Sequence, residues 1–395
     1  MSPNPYTIRD ILHNPSLRHT LFPITAHSNF LAHAAVAPLC APAAEAMRRH
    51  IQKSTTQQQE DHDLPHTLHN LRQTIAHLLH THPNHISLLG PTSLTLNLIA
   101  LGLDWRPGDE VIYYPHDYPS NVYPWLNLSR RGVRPIPLHP TKLGQITPDL
   151  VLSAITPRTR LIALSTCHYL SGYLIDYQTI SKALRQHHPH VLLSLDAIQS
   201  LGIAPLDASY VDFISADSHK WLLGPLSAGL FYTSPRAAPL CQPPLLGSWN
   251  VHSPHLLAQP TIHPHTDGRR YEPGTLNLCG SLGMAAAIDL LTHLHIPTIR
   301  QTIHNLLLPL AQSLAEKGWH VPWLDYPPHA RSGILTITHP RRNLPALHHH
   351  LHTRHIITSL RHLPDHTPCL RISPHAYNTP DEIAALLEAL DQPTP

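Results

Sequence analysis

The sequence predicts an α/β protein, with a large domain on a mostly parallel sheet and a smaller α+β domain after it. Three observations carry that expectation. Short apolar runs recur through the middle of the chain, helical stretches with apolar residues three and four apart lie between several of them, and the pattern changes after about residue 284. A chain of 395 residues also exceeds the size at which one hydrophobic core keeps growing, so two domains are expected without disulfide staples.

Taken in order, the runs HISLLG (85–90), DEVIYY (109–114), RLIALS (160–165), HVLLSLD (190–196), DFISAD (212–217) and AGLFYT (228–233) read as buried strands. TSLTLNLIALGL (92–103) and YQTISKALRQHH (177–188) read as helices between them. Past residue 284 a long helix around MAAAIDLLTHL leads into IRQTIHNLLLPLAQSLAEKG. The strand ILTITHP and a terminal helix DEIAALLEAL follow. No internal repeat is visible.

Composition narrows the function classes. The formal charge is +2, and Lys and Arg form no run longer than a pair, so nucleic acid is not an expected partner and small molecules are. The chain has 37 His and 42 Pro beside 16 Gly, which invites a metal reading of HHHLHTRH (348–355). His, Pro, Thr and Leu are enriched throughout and share cytosine-rich codons, so base bias accounts for the tract. Its histidines lack a carboxylate or Cys at ligand spacing, and no metal is expected. The five cysteines, Cys40, Cys167, Cys241, Cys279 and Cys369, are scattered without a CxxC pair, as in a reducing cytoplasm. MSPNPYTIRDILHN has no basic segment leading an apolar one, and no run of about 18 residues stays apolar. A cytoplasmic protein with no membrane partner is therefore expected.

In an open parallel sheet a ligand sits beyond the carboxyl ends of the strands, so polar residues just after apolar runs deserve weight. Asp196 ends VLLSLD, where a lone Asp serves equally as a helix cap. Lys220 lies in a polar turn followed at once by Trp, Leu, Leu and Gly; taken alone it reads as a solvated lysine.

The surrounding stretches change that reading. NFLAHAAVAPL, LLGPTS, GDEVIYYPHDYPSNVYPW, ALSTCHYLSG, LDAIQSLG, ADSHKWLLGP, RRYEPGTLN and LRISPHAYNTPDEI occur in this order along nearly the whole chain. Together they resemble the class V aminotransferase and cysteine desulfurase group of pyridoxal-5′-phosphate (PLP) enzymes, of fold type I. HDYPSNVYPW and SPHAYNT are most similar to its isopenicillin N epimerase-like subgroup.

The resemblance implies roles. Lys220 would carry PLP as a Schiff base and then move protons at the substrate's α carbon. Asp196 would keep the pyridine nitrogen protonated, Gln199 would hydrogen-bond the phenolic oxygen, and Tyr118 would stack on the ring. Thr92 and Ser93 would bind the phosphate at a helix start, with His219 as a further donor and Ser218 beside it where relatives often have Gly. Thr275 would reach the phosphate across the interface of a homodimer, and Arg371 would bind the α-carboxylate of an amino-acid substrate. His168 is a candidate acid or base. An N-terminal segment, 1–25, would pack with a small domain, 285–395, against a large domain, 26–284.

Pro91 stands before the Thr-Ser pair where the family has Asn, and Leu94 and Thr95 follow where a Gly is usual. A desulfurase of this group carries a nucleophilic Cys on a loop before the terminal Arg motif, yet IITSLRHLPDHTP has none. Cys369 directly precedes LRIS, in a strand position that suits a buried thiol. The expected reaction is therefore Cα proton abstraction from an α-amino acid, leading to elimination, epimerisation or amino transfer, with persulfide-forming desulfuration disfavoured. A non-catalytic binding protein of the same fold is a remote alternative, since such a protein would lack Lys220 or Asp196.

Overall fold

The computed structural model describes residues 6–60 and 63–392. Seven strands form the central sheet: β1 (Ile86–Leu88), β2 (Glu110–Tyr113), β3 (Arg134–Pro137), β4 (Thr159–Ser165), β5 (Leu192–Asp196), β6 (Phe213–Asp217) and β7 (Gly229–Thr233). They lie in the order β1-β7-β6-β5-β4-β2-β3, with β7 antiparallel to both its neighbours and the pairs from β6 through β3 parallel. Strands buried on both faces read as continuous apolar runs, which is why six of the seven follow the sequence expectation closely. The unanticipated one, β3, carries Pro135 and Pro137 and sits at the sheet edge, where a missing N–H costs no ladder bond.

The helices Thr92–Gly102 and Tyr177–His187 agree with the pattern. Asp176 caps the second by accepting from the Thr179 N–H at 3.0 Å, and Ile180 and Leu184 are buried beneath it.

The C-terminal region contains a three-stranded antiparallel sheet in the order β9 (Ser359–His362), β10 (Pro368–Ile372), β8 (Leu335–Ile337), covered by helices. Residue 284 falls inside the helix Leu278–His293. The sharper break is the 76° bend between that helix and Ile296–Glu316. Both helices bury much of their surface in the core, and among the described residues no single helix is long and apolar enough to cross a membrane.

The described N-terminal residues are fastened to the far end of the chain. Asn29 and Phe30 pair in parallel with Ile356 and Ile357, Phe22 stacks on Tyr377 at 4.2 Å, and the Arg18 guanidinium bonds the Tyr377 carbonyl at 2.8 Å and the Glu382 carboxylate. Buried apolar residues of the two regions run together in one core cluster.

Among the described residues no group of three His, Cys, Asp or Glu comes together to hold a metal. The 348–355 tract lies largely on the helix Leu344–Thr353, with His348 bonded to the Thr358 carbonyl.

Candidate active site

The carboxyl ends of β5 and β6, the loops that follow β2 and β4, and the start of Thr92–Gly102 all border one cavity of about 430 Å³. That is where an open parallel sheet presents its ligands. The cavity brings together Thr92, Ser93, Tyr118, Asp196, Gln199, His219, Lys220 and Arg371. A larger cavity, about 570 Å³, lies elsewhere around His265, Asp267 and Arg270 and contains no lysine. The smaller one, which gathers the expected residues, is the candidate active site.

Asp196 is the last residue of β5, paired in register with Ser165 and Ser215, so rigid strands on both sides fix its carboxyl group. Oδ1 accepts from the Ile198 N–H at 3.0 Å. Burial pushes its pKa up to about 7, against the lowering by that bond and by Lys220. Lys220 is buried as well, and burial presses its pKa down to about 8 while Asp196 pulls the other way. An amine so placed gives up its proton near neutrality, as a nucleophile or base must. Its Nζ lies 5.4 Å from the centroid of the Tyr118 ring, and Tyr169 meets that ring edge-on at 5.5 Å.

The anion end of the cavity is the first turn of Thr92–Gly102, whose leading N–H groups have no intrahelical acceptor. Thr92 Oγ1 is buried without a hydrogen-bond partner, and Ser93 Oγ lies 2.7 Å from Ser120 Oγ. His219 completes this end: its Nδ1 donates to Asp217 Oδ2 at 2.9 Å, which turns Nε2 away from the carboxylate. Asp217 Oδ1 has no partner and is packed where a Cβ on Gly90 or on Gly229 would come within 3.0 Å of it. Those two glycines leave room for the carboxylate.

At the other end, Arg371 on β10 is almost fully buried. Its Nη1 donates to the Tyr169 carbonyl at 2.7 Å, while Nε has no partner. Burial and the neighbouring Arg361 guanidinium press its pKa down, but a guanidinium stays protonated. A buried cation without a carboxylate is a demand for an anionic ligand. Arg361, on the adjacent β9, lines the same cavity.

The residues present fit PLP in kind. Orphaned Thr92 Oγ1 and a helix start suit a phosphate, the Asp196 carboxyl suits a ring N–H, Gln199 an oxygen, Tyr118 a ring face and Lys220 an aldehyde carbon.

Three of the expected residues lie outside this cavity, and for Thr275, expected to serve a partner's site, that position leaves the expectation untouched. His168 does not line the cavity: its Nε2 must donate to the His116 carbonyl at 2.9 Å, so Nδ1 accepts from the Ser171 N–H at 3.0 Å. Nδ1 holds the turn 168–171 and Nε2 ties it to the loop at His116, and burial lowers the ring's pKa. The next residue, Tyr169, faces the site instead. Ser218 is also turned away, donating to the Pro225 carbonyl at 2.8 Å, and so braces the loop rather than lining the cavity. Thr275 lies exposed and outside this cavity. Its loop is anchored by the buried Glu272 carboxylate, which pairs with Arg72 and accepts from the Leu88 N–H at 2.7 Å.

Sequence reasoning missed Tyr169, Arg361 and Asp217. Asp217 had a signal, since it ends the run DFISAD just as Asp196 ends VLLSLD. Tyr169 and Arg361 are placed by tertiary contacts that no local pattern reports.

The family model described as Aminotransferase class-V matches residues 29–386. Among curated proteins, a probable cysteine desulfurase of Methanothermobacter thermautotrophicus is 27% identical over 350 residues, covering 82% of this chain and 83% of that one. Isopenicillin N epimerase of Amycolatopsis lactamdurans is also 27% identical over 350 residues, covering 83% and 85%. Among solved structures, a mutant of the cystine C-S lyase C-DES with glycine covalently linked to its PLP cofactor superposes with a TM-score of 0.85. It is 22% identical, over 95% of this chain and 99% of that one.

Proposed function

From a chain that belongs to the class V aminotransferase family, and is thus a PLP-dependent enzyme, we propose an activity on an α-amino acid that begins with proton removal from Cα by Lys220. The observation that carries this reading is the convergence of Lys220, Asp196 and Arg371 on one cavity from three separate elements. Thr92, Ser93 and His219 would hold the phosphate, Asp196 the ring nitrogen, Gln199 the phenolic oxygen and Tyr118 the ring face. When bound, the cofactor supplies an electron sink conjugated to Cα. Arg371 pairs with the substrate carboxylate and so fixes which substituent of Cα faces the lysine. The Lys220 amine, freed by the incoming substrate and kept weakly basic by burial, takes the proton from Cα. Tyr118 and Tyr169 narrow the space above Lys220 and limit water there.

Elimination, epimerisation and amino transfer all share this step, and the proposal covers the three. Persulfide-forming desulfuration fits poorly. A tight turn, 363–367, joins β9 to β10 where a cysteine-bearing loop would be needed, and Cys369 is buried with its thiol pushed up to about 11. The five cysteines are all unpaired, which supports a reducing, cytoplasmic setting. A homodimer is part of the proposal: Thr275 would serve the partner's phosphate, and exposed Leu245, Leu246, Leu256, Leu257 and Ile262 suit a buried interface. Gel filtration of the PLP-loaded protein as a monomer would contradict it.

The deciding experiment is an amino-acid panel that follows the cofactor spectrum while pyruvate, ammonia, keto acids and substrate chirality are measured. Matched pyruvate and ammonia mean elimination, dependence on an added keto acid means amino transfer, and loss of optical purity alone means epimerisation. A panel in which no amino acid perturbs the spectrum would sink the proposal.

A further inference from the structure

Trp221 follows Lys220 directly and is completely buried. Its indole N–H donates to Gln199 Oε1 at 3.3 Å, and Gln199 Nε2 donates to the Ala34 carbonyl at 3.1 Å. An indole N–H can only donate and a carbonyl can only accept, so the two partners fix which end of the amide is oxygen. A flipped amide would set donor against donor at Trp221 and acceptor against acceptor at Ala34. In the fixed orientation one amide N–H of Gln199 is left with no protein partner, and Gln199 borders the cavity.

The lock is itself rigid. His375 Nε2–H donates to the Trp221 carbonyl at 3.2 Å, and the His33 ring stacks on the indole at 6.0 Å. A Cβ on Gly333 would meet Trp221 Cη2 at 2.9 Å, so that glycine makes room for the indole edge. His33 is fixed in turn, because the Ser373 carbonyl at 2.8 Å requires its Nδ1–H and leaves Nε2 to accept from the Tyr377 hydroxyl at 2.7 Å. The indole therefore has one orientation available to it.

We propose that Trp221 is a positioning residue whose indole N–H locks the Gln199 amide so that an N–H, not a carbonyl, is presented to the phenolic oxygen of PLP. The inference rests on the cofactor reading above. An amide N–H at that oxygen stabilises its anionic form and competes for electron density with the protonated nitrogen of the Lys220 linkage. Loss of the lock raises the pH at which that nitrogen gives up its proton.

The test is an absorbance titration of the holoenzyme, with cofactor retention measured by equilibrium dialysis. Trp221→Phe is expected to raise the titration midpoint by up to about one pH unit, the size of one net hydrogen bond. Gln199→Leu should raise it at least as far, and the double variant no further than Gln199→Leu alone, because both act through one amide. A Trp221→Phe midpoint equal to the wild type, or additive shifts in the double variant, would overturn the proposal. Should Trp221→Phe not fold, Gln199→Glu keeps an acceptor for the indole and removes every donor. It should weaken PLP retention about tenfold or more, and unchanged retention with an unchanged midpoint would also overturn the proposal. A Lys220→Ala protein that still holds PLP in a borohydride-reducible linkage would retire the lysine reading itself, which separates the two failures.

Discussion

The two ends of the cavity are built differently. The inner end, with Asp196, Asp217, His219, Lys220 and Thr92, comes from strand ends and a helix start of the central sheet, and all but His219 are buried. The outer end, with Tyr118, Tyr169, Arg361 and Arg371, comes from loops and from the small sheet, and Tyr118 is 46% exposed. A rigid seat for an invariant group and a wall assembled from separate segments impose different tolerances. On the reading proposed above, change at the inner end should remove the reaction, whereas change at the outer end should alter what is bound.

Four outcomes would break or sharpen that contrast. Lys220→Ala should lower kcat by roughly a thousandfold or more, the scale of a lost proton-transfer group, and abolish the borohydride-reducible linkage. A variant that keeps turnover within tenfold would end the inner-end assignment. Arg371→Leu should raise KM by roughly a hundredfold with a smaller change in kcat, because it removes the buried partner of a carboxylate. Arg371→Lys should recover part of the loss. Equal losses in kcat and kcat/KM, with KM unchanged, would place Arg371 at the inner end instead.

The third concerns pH. Burial holds His375 down to about 4, and His33 is also far below its usual value. Their folded-state pKa values are depressed, so the unfolded chain binds protons first. Stability from the neutral His375 ring is complete above about pH 6.5 and falls with acidification toward pH 4, by roughly 1 kcal/mol per pH unit, and the His33 ring adds a loss of the same sign. Denaturant melts at pH 7.5, 6 and 5 should lose stability in that order, and His375→Gln should flatten the dependence. The smallest effect is expected at Arg361→Leu. Its guanidinium is half-buried, so KM should rise by about tenfold or less, and more for substrates with a second acidic group. No dependence on substrate charge would remove Arg361 from recognition.

The same contrast explains what could be read from the sequence. Asp196 ends an apolar run whose strand character is plain, so its place at the sheet's carboxyl ends follows from local pattern, whereas Lys220 alone reads as a solvated lysine and gains its place only from the ordered motifs around it. His168 is singled out by its place after the run RLIALS, and no local signal points to Tyr169. Only the turn 168–171, closed by the His168 ring itself, reveals that its neighbour faces the cavity. Arg361 was invisible for another reason: β9 and β10 meet it with Arg371 through pairing across a turn, and the stretch had been read only for its lack of cysteine. Prolines hid β3, since their cost depends on edge position, a property of the sheet and not of the run.

The fastening of Asn29 and Phe30 to Ile356 and Ile357, and of His33 to Ser373 and Tyr377, has a bearing on biosynthesis. During translation the segment 29–34 leaves the ribosome some three hundred residues before its partners do. The Ala34 carbonyl, which anchors Gln199 beside the cavity, has its partner by mid-chain, but the Ala34 N–H waits for Ser373 Oγ, 3.1 Å away, until nearly the whole chain has been made. The central sheet has all its strands long before then, but the pocket does not close until synthesis has passed Tyr377. A nascent chain stalled short of that point would carry Lys220 and the residues proposed for the cofactor, but not the Arg361 and Arg371 wall of the cavity.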